Sequence, residues 1–217
     1  VSGCTDQSAL NYNSEADVDD SSCEFYVLTN ALSLQGIFDL SLSGNDGKAI
    51  HLVALEDIPD LSVFGIGVAN NGGGTDGEEV SLPGNLSAPV SAGDNILLAR
   101  TPSAIEAYFG ACFSEFQHIT SVGSAISQNG DDAIELFENG QVIETFGDVD
   151  TDGSGQPWEY MDSWAYKVNG DWTYGGVNCT DGSSTTQDSD CLYPLCVPST
   201  ASVEFTVDMN GVDQPSA

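Results

Sequence analysis

What most restricts the fold of this chain is the lack of any long helical period between residues 30 and 197, where short runs of β-formers alternate with clusters of Gly, Asn and Asp. The runs 49–55, 62–68, 95–100, 133–137 and 141–146 are rich in Ile, Val, Leu and Phe and are bounded by residues that favour turns. Glu138-Asn139-Gly140 separates the last two, and an Asn-Gly pair accepts the positive φ angles that a tight hairpin demands. Only 102–109 reads as helix, a turn or two, with Thr101 as N-cap and Pro102 at the first helical position. Many short strands with turn signals between them predict an all-β sandwich or barrel. At 217 residues with 40% apolar side chains the chain can bury a full core, so disorder throughout is not expected.

Six cysteines, Cys4, Cys23, Cys112, Cys179, Cys191 and Cys196, form no Cys-x-x-Cys pair of zinc-ligand spacing and so predict disulfides and an oxidising compartment. Residues 1–26 are too few to bury a core, and a Cys4–Cys23 bridge is their natural staple, worth about 3 kcal/mol through loop closure. Cys179 and Cys191 bracket a Ser-, Thr- and Asp-rich loop, and a bridge between them would leave Cys112 for Cys196. The alternative, Cys112 with Cys191 and Cys179 with Cys196, stays open because spacing does not settle connectivity. The chain thus divides into a disulfide-bounded Asp/Asn-rich motif (1–26), a β-sandwich (27–197) and a linker with a further strand (198–217). In that strand Val203, Phe205, Val207 and Met209 alternate with Glu204, Thr206 and Asp208. Such a strand is the start of a further domain, folds back on its own sandwich, or is free to add to the sheet edge of another copy, which would give self-association and a filament.

Asp and Glu number 34 against Lys48, Arg100 and Lys167, for a formal net charge of −31. Phosphate backbones and anionic lipids are repelled by such a chain, and no basic patch exists to release counterions, so nucleic acid is not an expected partner. Divalent cations and neutral or cationic partners suit it, although an acidic shell that only confers solubility explains the same composition. No apolar run is long enough to span a bilayer, so membrane insertion is not expected. With Val1 first and no signal peptide, the chain reads as a processed product, or an excised piece of one, secreted or displayed at the cell surface.

Asp148-Val-Asp150-Thr-Asp152-Gly153, followed six residues later by Glu159, meets the D-x-D-x-D-G-x5-E pattern of a calcium loop. Alternate carboxylates can converge on one hard cation, the glycine permits a sharp turn, and the distant glutamate can close the shell. The expected ligands are Asp148, Asp150, Asp152, Ser154 and Glu159. Because 141–147 reads as a strand and Gln156-Pro157-Trp158 is a poor helix start, the loop is expected between strands and not between helices. Asn11, Asn13, Asp17, Asp19 and Asp20 make a second, weaker set, for which Asx turns are the blander account.

Three Trp-x-Tyr pairs, Trp158/Tyr160, Trp164/Tyr166 and Trp172/Tyr174, fall within seventeen residues. On strands each pair shares a face, and an exposed row of rings would stack on the sugars of a polysaccharide; burial in the core explains the same residues. Support for catalysis is thin. His51 and His118 are the only histidines, and no H-E-x-x-H, G-x-S-x-G or phosphate-binding glycine loop is present. Asp131, Asp132 and Glu135 are nominal candidates for a pair of acids, with nothing in their spacing to single them out. The chain is not expected to be an enzyme.

The segments Gly47-Lys48-Ala49-Ile50-His51-Leu52, Asp60-Leu61-Ser62-Val63-Phe64-Gly65, Asn70-Asn71-Gly72-Gly73, Ser91-Ala92-Gly93-Asp94, Gly130-Asp131-Asp132-Ala133-Ile134-Glu135-Leu136 and Gly153-Ser154-Gly155-Gln156-Pro157-Trp158-Glu159-Tyr160 cover much of 34–175. In order and content they resemble the lamin tail domain, an immunoglobulin-like β-sandwich that also occurs in secreted bacterial proteins. His51 departs from the pattern, standing where family members usually carry Glu. The resemblance implies an immunoglobulin-like fold and an accessory role beside secreted nucleases, phosphoesterases, other hydrolases or surface proteins. Gly3-Cys4-Thr5-Asp6, Asn11-Tyr12-Asn13 and Asp19-Asp20-Ser21-Ser22-Cys23 are similar to a cysteine-bounded motif found between domains of secreted marine-bacterial proteins. Val203-Glu204-Phe205-Thr206-Val207-Asp208-Met209 looks like the opening strand of a starch-binding-type sandwich. The expected function is a non-catalytic, calcium-stabilised extracellular module for attachment, surface display or assembly. A carbohydrate-binding accessory domain and a filament subunit assembled through 203–209 are the alternatives.

Overall fold

A computed structural model of the protein describes residues 1–84 and 88–197. Segment 203–209, and with it the expected strand exchange or further domain, lies outside the described residues.

At the N-terminus β1 (Ser2–Gly3) and β2 (Val18–Asp19) pair in parallel, and a Cys4–Cys23 disulfide closes the segment as expected. The chain then enters β3 (Leu32–Asp39), β4 (Lys48–Ala54), β5 (Phe64–Ala69), β6 (Val80–Ser81) and β7 (Asn95–Ala99). A short helix α1 (Pro102–Phe109) leads through a 3₁₀ segment (Gly110–Glu115) to β8 (His118–Ser121), β9 (Ala133–Glu138), β10 (Gln141–Phe146), β11 (Ser163–Val168) and β12 (Asp171–Tyr174). Six strands form one sheet in the order β12-β11-β3-β4-β7-β8, antiparallel except for the parallel β7–β8 pair. Four form a second, β10-β9-β5-β6, antiparallel throughout. The two sheets pack face to face, which bears out the all-β, layered architecture at the coarse level.

Side-chain parity explains the layers. Ile50, Leu52 and Ala54 of β4 and Ile96 and Leu98 of β7 enter the core between the sheets, while Ala49, Leu97 and Ala99, one residue out of step, enter a second core on the opposite face. In β3, Leu32 and Leu34 point inward, and so does Ile37, an odd step later; a bulge between Leu34 and Gly36 makes the change. Gly36 is required there, since a Cβ would lie 2.1 Å from the Tyr193 hydroxyl. The second core is covered by α1, the 3₁₀ segment and residues 191–196, with Phe109 stacked on Tyr193 at 5.4 Å and Phe38 at 4.6 Å from the same ring. Cys112–Cys196 and Cys179–Cys191 disulfides fasten this cover, choosing between the two open connectivities.

Local expectations fare unevenly. Asn139 and Gly140 adopt φ of 51° and 74° in the β9–β10 hairpin, as the Asn-Gly pair requires. Pro102 opens α1, but Thr101 makes no side-chain cap; its hydroxyl donates instead to Asp46 Oδ1 at 2.6 Å, tying the helix start to the β3–β4 connection. Glu138, 1% exposed, accepts from the Thr29 and Asn30 backbone N–H groups and from the Thr29 hydroxyl, so the link from the N-terminal motif is anchored on the four-stranded sheet.

Candidate functional site at the acidic loop end

The D-x-D-x-D-G segment lies between β10 and β11, between strands as expected, and packs against two other loops at one end of the sheets. Gly74 N donates to Val149 O at 2.9 Å, Gly153 N to Asp131 O at 2.9 Å, and Tyr160 N to Gly130 O at 2.7 Å. Asp132, 1% exposed, accepts from the Asn71 N–H at 2.8 Å and the Asn129 N–H at 3.0 Å, while the Tyr160 hydroxyl donates to the Asp132 carbonyl at 3.0 Å. Ser154 Oγ donates to Asp131 Oδ2 at 2.8 Å. Three loops, 70–74, 129–132 and 148–159, are thereby tied into one surface carrying Asp131, Asp132, Asp148, Asp150, Asp152 and Glu159, and none of the three contains a Lys or Arg. Burial pushes the Asp132 carboxyl up, against its two backbone donors and with Asp131 adding to the rise.

Within the calcium pattern itself the carboxylates are spent singly. Asp148 accepts from Asp150 N at 3.0 Å and Thr151 Oγ1 at 2.8 Å, Asp152 from Ser154 N at 2.9 Å, and Glu159 from Gly155 N at 2.8 Å. The Thr151 hydroxyl and the Asp150 N–H hold Asp148 below the usual carboxylate range, and Ser154 does the same for Asp152. Among the described residues no group of three or more His, Cys, Asp or Glu side chains is gathered to hold a metal ion. Gly153 has a role different from the expected sharp turn: its φ is not positive, and a Cβ would lie 2.5 Å from the Trp158 ring and from Asp131 O. The glycine makes room for Trp158 to pack, and Gly155, at φ 75°, turns the chain. In donor chemistry, all carboxylate, hydroxyl and backbone oxygen, the segment suits a hard cation.

The second expected set is likewise a chain of local turns. Asn13 accepts from Glu15 N, Asp19 from Ser21 N and Asp20 from Ser22 N, whereas Asn11 binds both the Ser22 carbonyl and the Glu24 N–H. Asp17 meets Val1 through its own backbone N–H.

The six rings of the Trp-x-Tyr pairs do not form an exposed row. Trp164, 7% exposed, enters the outer core and donates from Nε1 to Cys191 O at 3.0 Å, and Tyr166 packs edge-on to Tyr193 at 5.1 Å. Tyr160 is fully buried, and Trp158, Tyr160 and Trp172 surround Phe146 on the inner side. Only Tyr174, at 37%, is exposed. Trp164 and Tyr166 share one face of β11, as expected, and that face is covered by the outer core; Tyr166, Trp158 and Trp172 are half-buried.

Both histidines are internal. His51, with no exposure, lies between Tyr193 Oη at 2.9 Å on Nδ1 and Asn95 Oδ1 at 2.8 Å on Nε2; burial pushes its pKa down to about 4. Since Asn95 Oδ1 only accepts, Nε2 carries the proton and Nδ1 receives the tyrosine hydroxyl. His118, 6% exposed, sits 3.0 Å from Asp94 Oδ2. The residues that sequence reasoning missed at the loop end are Asn71 and Gly72. Asn71 holds Asp132 through its backbone, and a Cβ on Gly72 would lie 2.5 Å from Asp152 N. The Asn-Asn-Gly-Gly-Gly run signalled a loop but could not signal which loop it would meet.

The chain matches no protein-family model, no curated protein and no solved structure.

Proposed function

We propose that the chain is a non-catalytic extracellular module for attachment or surface display, with an immunoglobulin-like sandwich of the lamin-tail kind, and that calcium stiffens its acidic loop end. The observation that carries this reading is the display of the D-x-D-x-D-G-x5-E segment at an exposed end, tied by backbone bonds to the glycine-rich loop 70–74 and to the acidic loop 129–132. Six acidic residues on tied loops that contain no Lys or Arg repel one another, and a divalent ion would relieve that Coulomb energy. Three disulfides suit an oxidising compartment, and among the described residues no helix is long and apolar enough to cross a membrane. Two histidines engaged in internal hydrogen bonds leave no imidazole facing solvent as a general base, which supports the non-catalytic reading.

Melting the full chain across a calcium series up to millimolar concentration tests the proposal, because extracellular loops bind at roughly 10⁻⁴ to 10⁻³ M. The expected result is a rise in Tm that Asp150→Asn and Glu159→Gln diminish. Identical melting in millimolar calcium and in chelator would remove calcium from the reading. The carbohydrate alternative is separated by a glycan array, on which the proposal expects no binding.

A further inference from the structure

Lys48 is one of three basic residues in the chain, yet it is 5% exposed. It stands directly opposite Asp39 across the β3–β4 ladder, with Nζ 3.2 Å from Asp39 Oδ1. Nζ also donates to the Gln128 carbonyl. The Gln128 side chain, wholly buried, roofs the pair by donating from Nε2 to Phe38 O at 3.2 Å and Ala49 O at 3.3 Å.

Taking an ammonium and a carboxylate out of water costs several kcal/mol per ion, returned only in part by their attraction. A contact pair at this depth is one proton transfer from a neutral amine beside a neutral acid, and burial does push the Asp39 carboxyl up, against the pull of Lys48. An amide in the same place carries no charge and removes the desolvation cost.

We infer that Lys48 and Asp39 condense to an intramolecular isopeptide bond that welds β3 to β4. A proton passes from the Nζ ammonium to the Asp39 carboxylate. The Nζ lone pair then attacks Cγ, the N–C bond forms, and the C–OH bond breaks. The hydroxyl leaves with a second proton from Nζ as water, so the ion pair becomes an amide and one water, with no other reactant. The Gln128 roof limits access of water for the reverse step. Lys167 and Glu144, the chain's other lysine–carboxylate contact, are more exposed, at 14% and 23% of their side chains, and serve as the internal control that stays ionic.

Intact-mass measurement of the full wild-type chain, reduced and denatured, tests the bond. The expected mass is one water below that of the sequence, and Lys48→Arg restores it. Asp39→Asn loses one ammonia instead, converging on the same cross-linked product. Trypsin should cut the denatured chain after Arg100 and Lys167 but not after Lys48, leaving a first fragment that runs to Arg100. Full sequence mass for the wild type, with cleavage after Lys48, overturns the inference and leaves an ion pair.

Discussion

The two faces of the six-stranded sheet are buried by opposite means. Its inner face meets the other sheet through aliphatic side chains such as Leu34, Ile37, Ile50, Leu52 and Leu98, all carried on strands that the ladders already hold in register. The outer face is aromatic, with Phe38, Tyr108, Phe109, Phe116, Trp164 and Tyr193. Its cover, a helix, a 3₁₀ segment and a stretch near residue 193, shares no ladder with the sheet. Few large rings, each burying about 150–250 Å², supply area where strands are missing, and disulfides remove the chain entropy that ladders would otherwise restrain. An irregular segment can thus cover a sheet if its anchors are large and its ends are tied.

If the ties matter this much, the largest effect should follow from the longest loop. Replacing Cys112 and Cys196 together by Ser frees a loop of 84 residues' separation and should lower stability by about 4–5 kcal/mol. Urea unfolding read by near-UV circular dichroism measures it, and an unchanged midpoint would break the comparison. Tyr193→Ala, which deletes the ring at the centre of the outer core, should cost about 4 kcal/mol, whereas Tyr193→Phe should cost about 1–2 kcal/mol by leaving His51 Nδ1 without its donor. Equal losses for the two would show that the hydroxyl and not the ring is the anchor.

His51 gives the outer core a pH dependence. Folded, it protonates near 4 because burial disfavours the cation, with the Asn95 hydrogen bond opposing; unfolded, it protonates near 6.5. Between those values the unfolded chain binds more protons. Stability from this group is therefore complete above pH 6.5, falls as pH drops toward 4, and levels off below, for a total of roughly 3 kcal/mol. Asp132, raised by burial, acts in the opposite sense, so the difference between wild type and His51→Gln isolates the histidine. Parallel pH profiles for the two proteins would refute its role. The smallest effect belongs to the inner face, where Ile50→Val should cost about 1 kcal/mol by thermal melting, since one methyl is lost from a core that the ladders keep aligned.

Much of the fold was legible because it is local. Strand runs, the Asn139-Gly140 hairpin, Pro102 at the head of the helix and the Cys4–Cys23 staple each follow from residues within a few positions of one another, or from a segment too short to have other options. The loop end was legible only in its letters. Asp148, Asp150, Asp152 and Glu159 announced oxygen donors, but not that backbone N–H groups a few residues away would bond to Asp148, Asp152 and Glu159 in the folded loop. Gly153 misled for a related reason. A glycine serves a positive φ or a close approach, and the sequence does not say which; the Trp158 ring beside it does. Trp164 and Tyr166 were readable as a face-sharing pair, yet whether that face is wet depended on a cover brought from beyond residue 179.

By itself the sequence determined the class of structure, the use of its cysteines as disulfides and the sign of its surface, because periodicity, pairing number and charge are properties of the chain that folding does not alter. Only the tertiary structure decided which loops carry their carboxylates side by side, that both histidines are buried, and that Lys48 and Asp39 pair across the β3–β4 ladder with little exposure. Those outcomes rest on contacts between residues far apart in the chain, and the energy of each depends on burial that no local pattern reports.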